Sequence, residues 1–397
     1  MKIDPHRVYL YRTAADSDQV PFEDYKRLAY EALSRLELDL PQEGTIAFKP
    51  NITIPAAPDT RIITHPGFIV GMLQRLLDLG VAADRLVVME GYGPRDRQAE
   101  TRNRQRRSMH KPHQHRAHRQ HAHAPRPPLP QASGYEDALA RLGLTLTNHD
   151  DTDGVDVPLP EGVVFRNLRL THHAARAGFL FNVPVAKCHN LSCTTLATKN
   201  LQGLALSPQR HMCGIQAEDA GLSDAELTRI NDTGISVHEE RFCHKHADLI
   251  AAVRKTGVPR LCVVDGMVGR DGTAFNEGSN YPLGWTLIGQ NEIHVDTVGT
   301  YLFGLDPEMT PYLRVAAQRG LGTNRIADIE VFDLASGNRL DAAALAGHRH
   351  SPALMPVSRY EGGYYPRFRN DGSVVPWALD RVNHQRQEDG LELITAS

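Results

Sequence analysis

The stretch Gly178–Leu206, GFLFNVPVAKCHNLSCTTLATKNLQGLAL, decides how the rest of the chain is organised. Phe179 to Val183 is a continuous apolar run between Gly178 and Pro184, the pattern of a short, fully buried strand. Beyond Pro184 the chain delivers Lys187, Cys188, His189 and Cys193, then a Thr-rich opening to a helix carrying Lys199 and Asn200. In open α/β sheets ligands bind beyond the carboxyl ends of strands, so this clustering of polar groups past a strand predicts a site there.

Upstream, GTIAFKPNIT gives a strand that opens at Gly44 and ends on Lys49, Pro50 and Asn51. Thr64 and Pro66 start a helix that runs through GFIVGMLQRLLDLG and stops at Gly80, and RLVVMEGYG is a second buried strand. This β-α-β order predicts a parallel pair with a right-handed crossover. Before it, residues 20–37 space Tyr25, Leu28, Ala29, Leu33 and Leu36 like an amphipathic helix. Downstream, Phe242, His246, Leu249, Ile250 and Val253 share one face of a helix predicted over Val237–Lys255. LCVVDGMVGRDG is a buried strand expected to present Asp265 at its end, and a further strand leads to a helix starting near Asp296. With DIEVFD as the last strand, these elements predict an α/β fold. Its sheet is predominantly parallel with helices on both faces, in two α/β lobes meeting near residues 178–206. The core spans 1–93 and 134–350, and 351–397 is expected to be an irregular tail.

Residues 94–133 interrupt this order. From 101 to 130 the chain is rich in Arg, His, Pro and Gln with almost no large apolar residue, so it cannot bury enough surface to offset its ordering entropy. A disordered basic insertion is the expected state. His110, His113, His115, His118, His121 and His123 also fit a metal-binding tract, and the composition fits an out-of-frame translation. Residues 101–133 hold eight Lys or Arg and no acid, so the net charge of −3 leaves −11 on the remainder. An acidic body argues against nucleic acid as partner of the folded part. No apolar stretch reaches membrane-spanning length and the N-terminus lacks a signal-peptide apolar region, so no membrane role and a cytoplasmic location are expected. The five cysteines form no C-x-x-C pair, which suits reduced thiols. Nothing in the sequence sets an oligomeric state.

Lys187 and His189 lie two apart in an extended segment and point to one side, with Cys188 on the other. A cation beside an imidazole suits an anionic ligand or a proton transfer; a solvated lysine beside a hydrogen-bonded histidine is the plainer alternative. Lys199 and Asn200, near the start of their helix, suit phosphate or carboxylate binding. Asp265 and Asp296 suit a hard cation such as Mg²⁺, or helix capping. Cys188, Cys193, Cys213 and Cys243 provide donors for zinc or an iron-sulfur cluster, although their spacing matches no such motif.

Taken in order, KPNIT, Thr-His-Pro at 64–66, VPVAKCH, ATKNLQG, His-Ala-Asp-Leu at 246–249, VVDGMVG and VDTVGTYLFG resemble the successive motifs of the domain of unknown function 362 family. The resemblance covers about residues 45–335. It implies that the family's polar signature falls on Lys49, Asn51, Lys187, His189, Lys199, Asn200, Asp248, Asp265 and Asp296. Some family members carry an added ferredoxin-like domain, and this chain has no such cysteine run. The expectation is an enzyme acting on a small anionic metabolite. Lys187, His189 and Lys199 would be catalytic, Lys49, Asn51, Asn200 and Asp248 would bind the ligand, and a divalent metal would sit at Asp265 and Asp296. The alternative is a non-catalytic iron-sulfur or other metal-binding redox protein using the four cysteines.

Overall fold

The computed structural model of the chain describes residues 1–92 and 128–396. Most of the predicted insertion, with its histidine tract, lies outside the described residues. Its last part does not: Leu129–Ala132, inside the boundary of 133 expected for the insertion, forms one helical turn with Leu129 buried.

The strands, in chain order, are β1 (Arg7–Arg12), β2 (Ile46–Pro50), β3 (Leu86–Glu90), β4 (Leu146–Asn148), β5 (Gly154–Pro158), β6 (Asn167–Thr171), β7 (Phe179–Val183) and β8 (Val185–His189). They continue as β9 (Cys193–Thr195), β10 (Arg260–Arg270), β11 (Asn280–Gly289), β12 (Glu330–Asp333), β13 (Arg339–Leu340), β14 (Val357–Tyr360) and β15 (Gly363–Pro366). The helices that matter here are α1 (Phe22–Ser34), α2 (Pro66–Asp78), α3 (Tyr135–Ala140), α4 (Ala197–Leu201), α5 (Val237–Lys255), α6 (Glu292–Leu302), α7 (Pro311–Gln318) and α8 (Leu379–Glu388).

Eleven strands join one mixed sheet in the order β13-β12-β1-β11-β10-β7-β2-β3-β4, with β8 attached to β10 and β9 to β8. The run β10-β7-β2-β3-β4 is parallel throughout, as the β-α-β reading predicts. On the other side β11 pairs antiparallel with both β10 and β1, which makes the sheet mixed. Two further two-stranded sheets, β5-β6 and β14-β15, stand beside this large sheet. Asp265 lies inside the eleven-residue β10 rather than at its end, because Val268 and Arg270 go on pairing with Pro282 and Asn280. Helix α6 begins at Glu292, so Asp296 is an interior helical residue.

Successive strand residues enter different parts of the core, as the period of two requires. Phe48 and Phe181 stack across β2 and β7 with ring centroids 4.8 Å apart and pack with α1 and α2. Their neighbours Ala47 and Leu180 pack instead with α5 and α7. Helix α1 buries Tyr25, Leu28, Ala29, Ala32 and Leu33, a helical stripe, against α2. A Cβ added to Gly71 of α2 would stand 2.1 Å from the Lys26 carbonyl oxygen, so this crossing needs glycine. Helix α5 starts with a capping box: Ser236 Oγ accepts the Glu239 amide and Glu239 Oε2 accepts the Ser236 amide.

The C-terminal stretch is not the irregular tail expected. Tyr360 and Gly363 flank a tight turn that pairs β14 with β15, and α8 follows. Arg367, beyond this hairpin, is fully buried. Its guanidinium bonds the Asn190 and Leu191 carbonyl oxygens and Glu239 Oε1, fastening the segment over the turn that follows β8.

The chain leaves β2 through α2 to β3, and reaches β4 through α3, stepping one way along the sheet. It then returns to place β7 on the other flank of β2, with Lys49 beside Asn182. The strand order therefore reverses between β2 and β7, the place where open α/β sheets form a crevice.

Candidate functional site

Lys49 is the last residue but one of β2 and Glu90 closes its parallel neighbour β3, so both side chains emerge near the carboxyl edge of the sheet. Lys49 is 1% exposed, and its Nζ donates to Glu90 Oε2 at 2.8 Å and to the Pro50 carbonyl at 2.6 Å. Burial pushes the Lys49 ammonium below its ordinary range and the Glu90 carboxylate opposes that push. Glu90 is further held by the amides of Ile52 and Gly91. Gly203 seals the pair from above: a Cβ there would stand 2.4 Å from Lys49 Cε.

A relay of amides extends from this pair across the reversal point. Lys187 Nζ donates to Asn51 Oδ1 at 2.9 Å, and Asn51 Nδ2 donates to Asn200 Oδ1 at 3.1 Å. Asn200 Nδ2 donates to the Lys49 carbonyl and to Asn182 Oδ1, and Asn182 Nδ2 ends the chain on the Ala197 carbonyl. Every amide points its donor onward, so the network has one direction and leaves none of these groups orphaned. Asp296 places α4, which carries Asn200, by accepting the Ala197 and Thr198 amides at 2.6 and 3.0 Å. That is a capping role, supported by the Tyr312 hydroxyl.

Lys187 is 1% exposed and its two acceptors, Asn51 Oδ1 and the Ile62 carbonyl, are both neutral. Its ammonium lies 5.2 Å from the Phe275 ring centroid. Burial lowers its pKa to about 7, with the charges of Lys199 and Arg270 adding to the push. Arg270 is the register partner of Lys187 across β10 and β8, so the two are side by side. Lys199 Nζ donates to Gln202 Oε1 at 2.7 Å, an oxygen that also faces His246 Nε2. Among the described residues Glu90 is the one carboxylate bonded to any of these three lysines.

His189 Nδ1 accepts the Leu191 and Ser192 amides at 3.0 and 3.3 Å, which fixes the proton on Nε2. Burial, followed by Lys199 and Lys187, holds the imidazole neutral by pushing its pKa well down. It is therefore a donor through Nε2–H.

The other expected site residues bond partners outside this cluster or none in it. Asp248 accepts the amides of Val163, Val164 and Phe165 and pairs with Arg319 at 2.8 Å, so it fastens a loop to α5. Asp265 accepts the His65 amide at 2.9 Å at the start of α2, and burial raises its carboxyl to about 7. Among the described residues no three His, Cys, Asp or Glu side chains converge as a metal site. All five cysteines are free, and burial raises the thiols of Cys188 and Cys243 well above their ordinary range and Cys193 to about 11; Cys213 is half-buried. A thiol held protonated is a poor nucleophile.

Sequence reading missed Glu90, Arg270, Asn182 and Gln202. Glu90 closes an apolar run as Lys49 closes the one in the adjacent strand, and that parallel was the available signal. His149, just beyond β4, was also missed. It is fully buried with Nδ1 unbonded, and burial, Lys49 and Arg210 depress its pKa to about 3.

The sequence profile of a family described as Domain of unknown function (DUF362) matches residues 46–301. The chain belongs to this family. The matched span opens on the first residue of β2 and holds Lys49, Glu90, Lys187, Lys199 and Arg270, so the whole DUF362 cluster falls within it. A protein of Synechocystis sp. named as thylakoid-associated is 24% identical over 194 residues, which is 49% of this chain and 52% of that relative. The DUF362 chain thus spans about half the length of the curated relative it matches. Among its described residues no helix is long and apolar enough to cross a membrane.

Proposed function

We propose that this DUF362 chain is an enzyme acting on a small phosphorylated or carboxylated metabolite. The metabolite is held where the strand order reverses between β2 and β7. Lys187 carries this reading: a lysine sealed from water, beside two further lysines and Arg270, whose own acceptors are neutral. Burying a charge is costly unless it is paired, and an incoming anion supplies the missing partner. Lys199 and Arg270 add charge, Lys49 with Glu90 shapes one wall, and the amide relay holds Asn51 and Asn200 in fixed orientation. His189 serves as a hydrogen-bond donor through Nε2–H, because protonating Nδ1 would sacrifice two amide bonds. A divalent ion at Asp265 would have to displace the His65 amide, so the reading does not depend on one. Five free cysteines support a reducing compartment, the cytoplasm.

The test is a thermal-shift screen of phosphorylated and carboxylated metabolites, with and without Mg²⁺. A hit should weaken about tenfold to a hundredfold in Lys187→Met and in Lys199→Met, the size of one lost charge-assisted bond. A hit that persists unchanged in both variants ends this reading.

A further inference from the structure

Ten residues before Arg270, at the opposite end of β10, a cavity of about 420 Å³ opens between Arg254, Arg260, Gln290 and Asn291. Strand geometry puts it roughly 33 Å from the lysine cluster. Both arginines reach one carboxylate. Arg254 Nη2 lies 3.0 Å from Glu292 Oε2, and Arg260 Nε bonds Glu292 Oε1. Glu292 is fully buried, while the arginine side chains retain 28% and 15% exposure. Two guanidiniums on one carboxylate leave one positive charge uncompensated. The bonding is also incomplete: among the described residues Arg254 Nε, which is buried, has no acceptor, and Arg260 spends only its Nε–H. Its Nη1 and Nη2 keep the fork that suits a planar or tetrahedral oxyanion. Pro5, Val258 and Pro259 supply an apolar wall.

We infer that this cavity is a second oxyanion site, separate from the lysine cluster. It takes a small molecule with a phosphate or carboxylate group and a compact apolar body. The oxyanion meets the Arg260 fork and Arg254, and the body lies on Pro5, Val258 and Pro259. The volume lies in the range of small-ligand sites and exceeds what an inorganic anion fills. Glu292 keeps both guanidiniums in place before the ligand arrives, so little ordering is needed on binding.

Calorimetric titration of the whole chain at low ionic strength tests this, with phenyl phosphate and benzoate as probes that separate the two oxyanion classes. Lys187→Met, which disables the lysine cluster, should still bind one molecule of at least one probe per chain. Combining it with Arg260→Lys, which leaves Glu292 a cation but removes the fork, should weaken that binding at least about tenfold. A check free of variants is the rate at which phenylglyoxal modifies Arg260 in the native protein, read by peptide mass; saturating probe should slow it several-fold. Unchanged affinity on adding Arg260→Lys, an unprotected Arg260, or loss of all binding in Lys187→Met overturns the site. That last outcome leaves the lysine-cluster reading standing.

Discussion

Lys49 Nζ stands 2.8 Å from Glu90 Oε2, joining the ends of two adjacent parallel strands with both side chains sealed from water. Removing one partner of such a pair strands the other. Glu90→Gln should destabilise the fold by about 3 to 5 kcal/mol in urea unfolding, whereas surface carboxylates replaced the same way should change it little. A Glu90→Gln chain as stable as the parent would contradict the burial of this pair.

Gly203→Ala probes the same place by shape. The new methyl group would meet Lys49 Cε at 2.4 Å and Nζ at 2.7 Å, so Lys49 must move. The expected cost is about 1 to 3 kcal/mol, with weaker binding of any ligand of the lysine cluster. Thermal shift with and without that ligand measures both.

Asp248 separates scaffold from site. Its carboxylate serves three amides and Arg319, none of them in the lysine cluster, so Asp248→Asn should lower stability by about 1.5 to 3 kcal/mol. Anion affinity of the folded fraction should stay within twofold or so, the reverse of the Lys187→Met outcome. Loss of affinity at full stability would return Asp248 to the site.

Lys187 sets a pH dependence whose sign is fixed. Its folded pKa, about 7, lies below the ordinary lysine value, so the unfolded chain holds more protons between about pH 7 and 10.5. The group's contribution is therefore present above that window and lost progressively as pH falls from about 10.5 to about 7, by up to about 1.4 kcal/mol per pH unit. Lys187→Met should flatten this part of the stability curve. An anion that needs the charged form should bind more tightly at pH 6 than at pH 8.5, and this preference should vanish in the variant.

His65 governs the acid side. Burial, with help from Arg61, lowers its pKa to about 3, and the ring stacks 3.9 Å from Tyr25. The neutral ring contributes fully above about pH 6.5, and that contribution fades as pH falls toward 3. His65→Asn retains an acceptor for the Gly67 amide and should shallow the loss of stability between pH 6.5 and 4. An unchanged slope would mean that the ring is not sealed in neutral form.

Much of this was legible in the sequence because strands buried in a parallel sheet are written as continuous apolar runs. Phe179–Val183, the run ending at Lys49 and the run ending at Glu90 all became adjacent parallel strands. The polar residues just past them, Lys49, Asn51, Lys187 and Asn200, did converge. What the residues alone left open depended on partners distant in sequence. Asp248 and Asp265 look alike in sequence to any ligand-binding acid, and only the amides of residues 163–165 and of His65 reveal their work. Arg270 follows a glycine beyond the Asp265 at which the strand was expected to end, and its place beside Lys187 comes from a bulged register that no periodicity announces. Tyr360-Glu361-Gly362-Gly363 is a turn signal that was outweighed by the low apolar content around it.

Strand β1 sits between β11 and β12, so Arg12 meets Trp285 about 270 residues after it is made. At translation speeds of about 5 to 20 residues per second, Val8–Tyr11 leaves the ribosome on the order of 15 to 55 seconds before its first neighbour exists. For that interval an apolar strand with both edges bare is a template for any other strand it meets. The sheet's interior position for β1 thus makes the nascent chain, more than the finished protein, the form that calls for a chaperone.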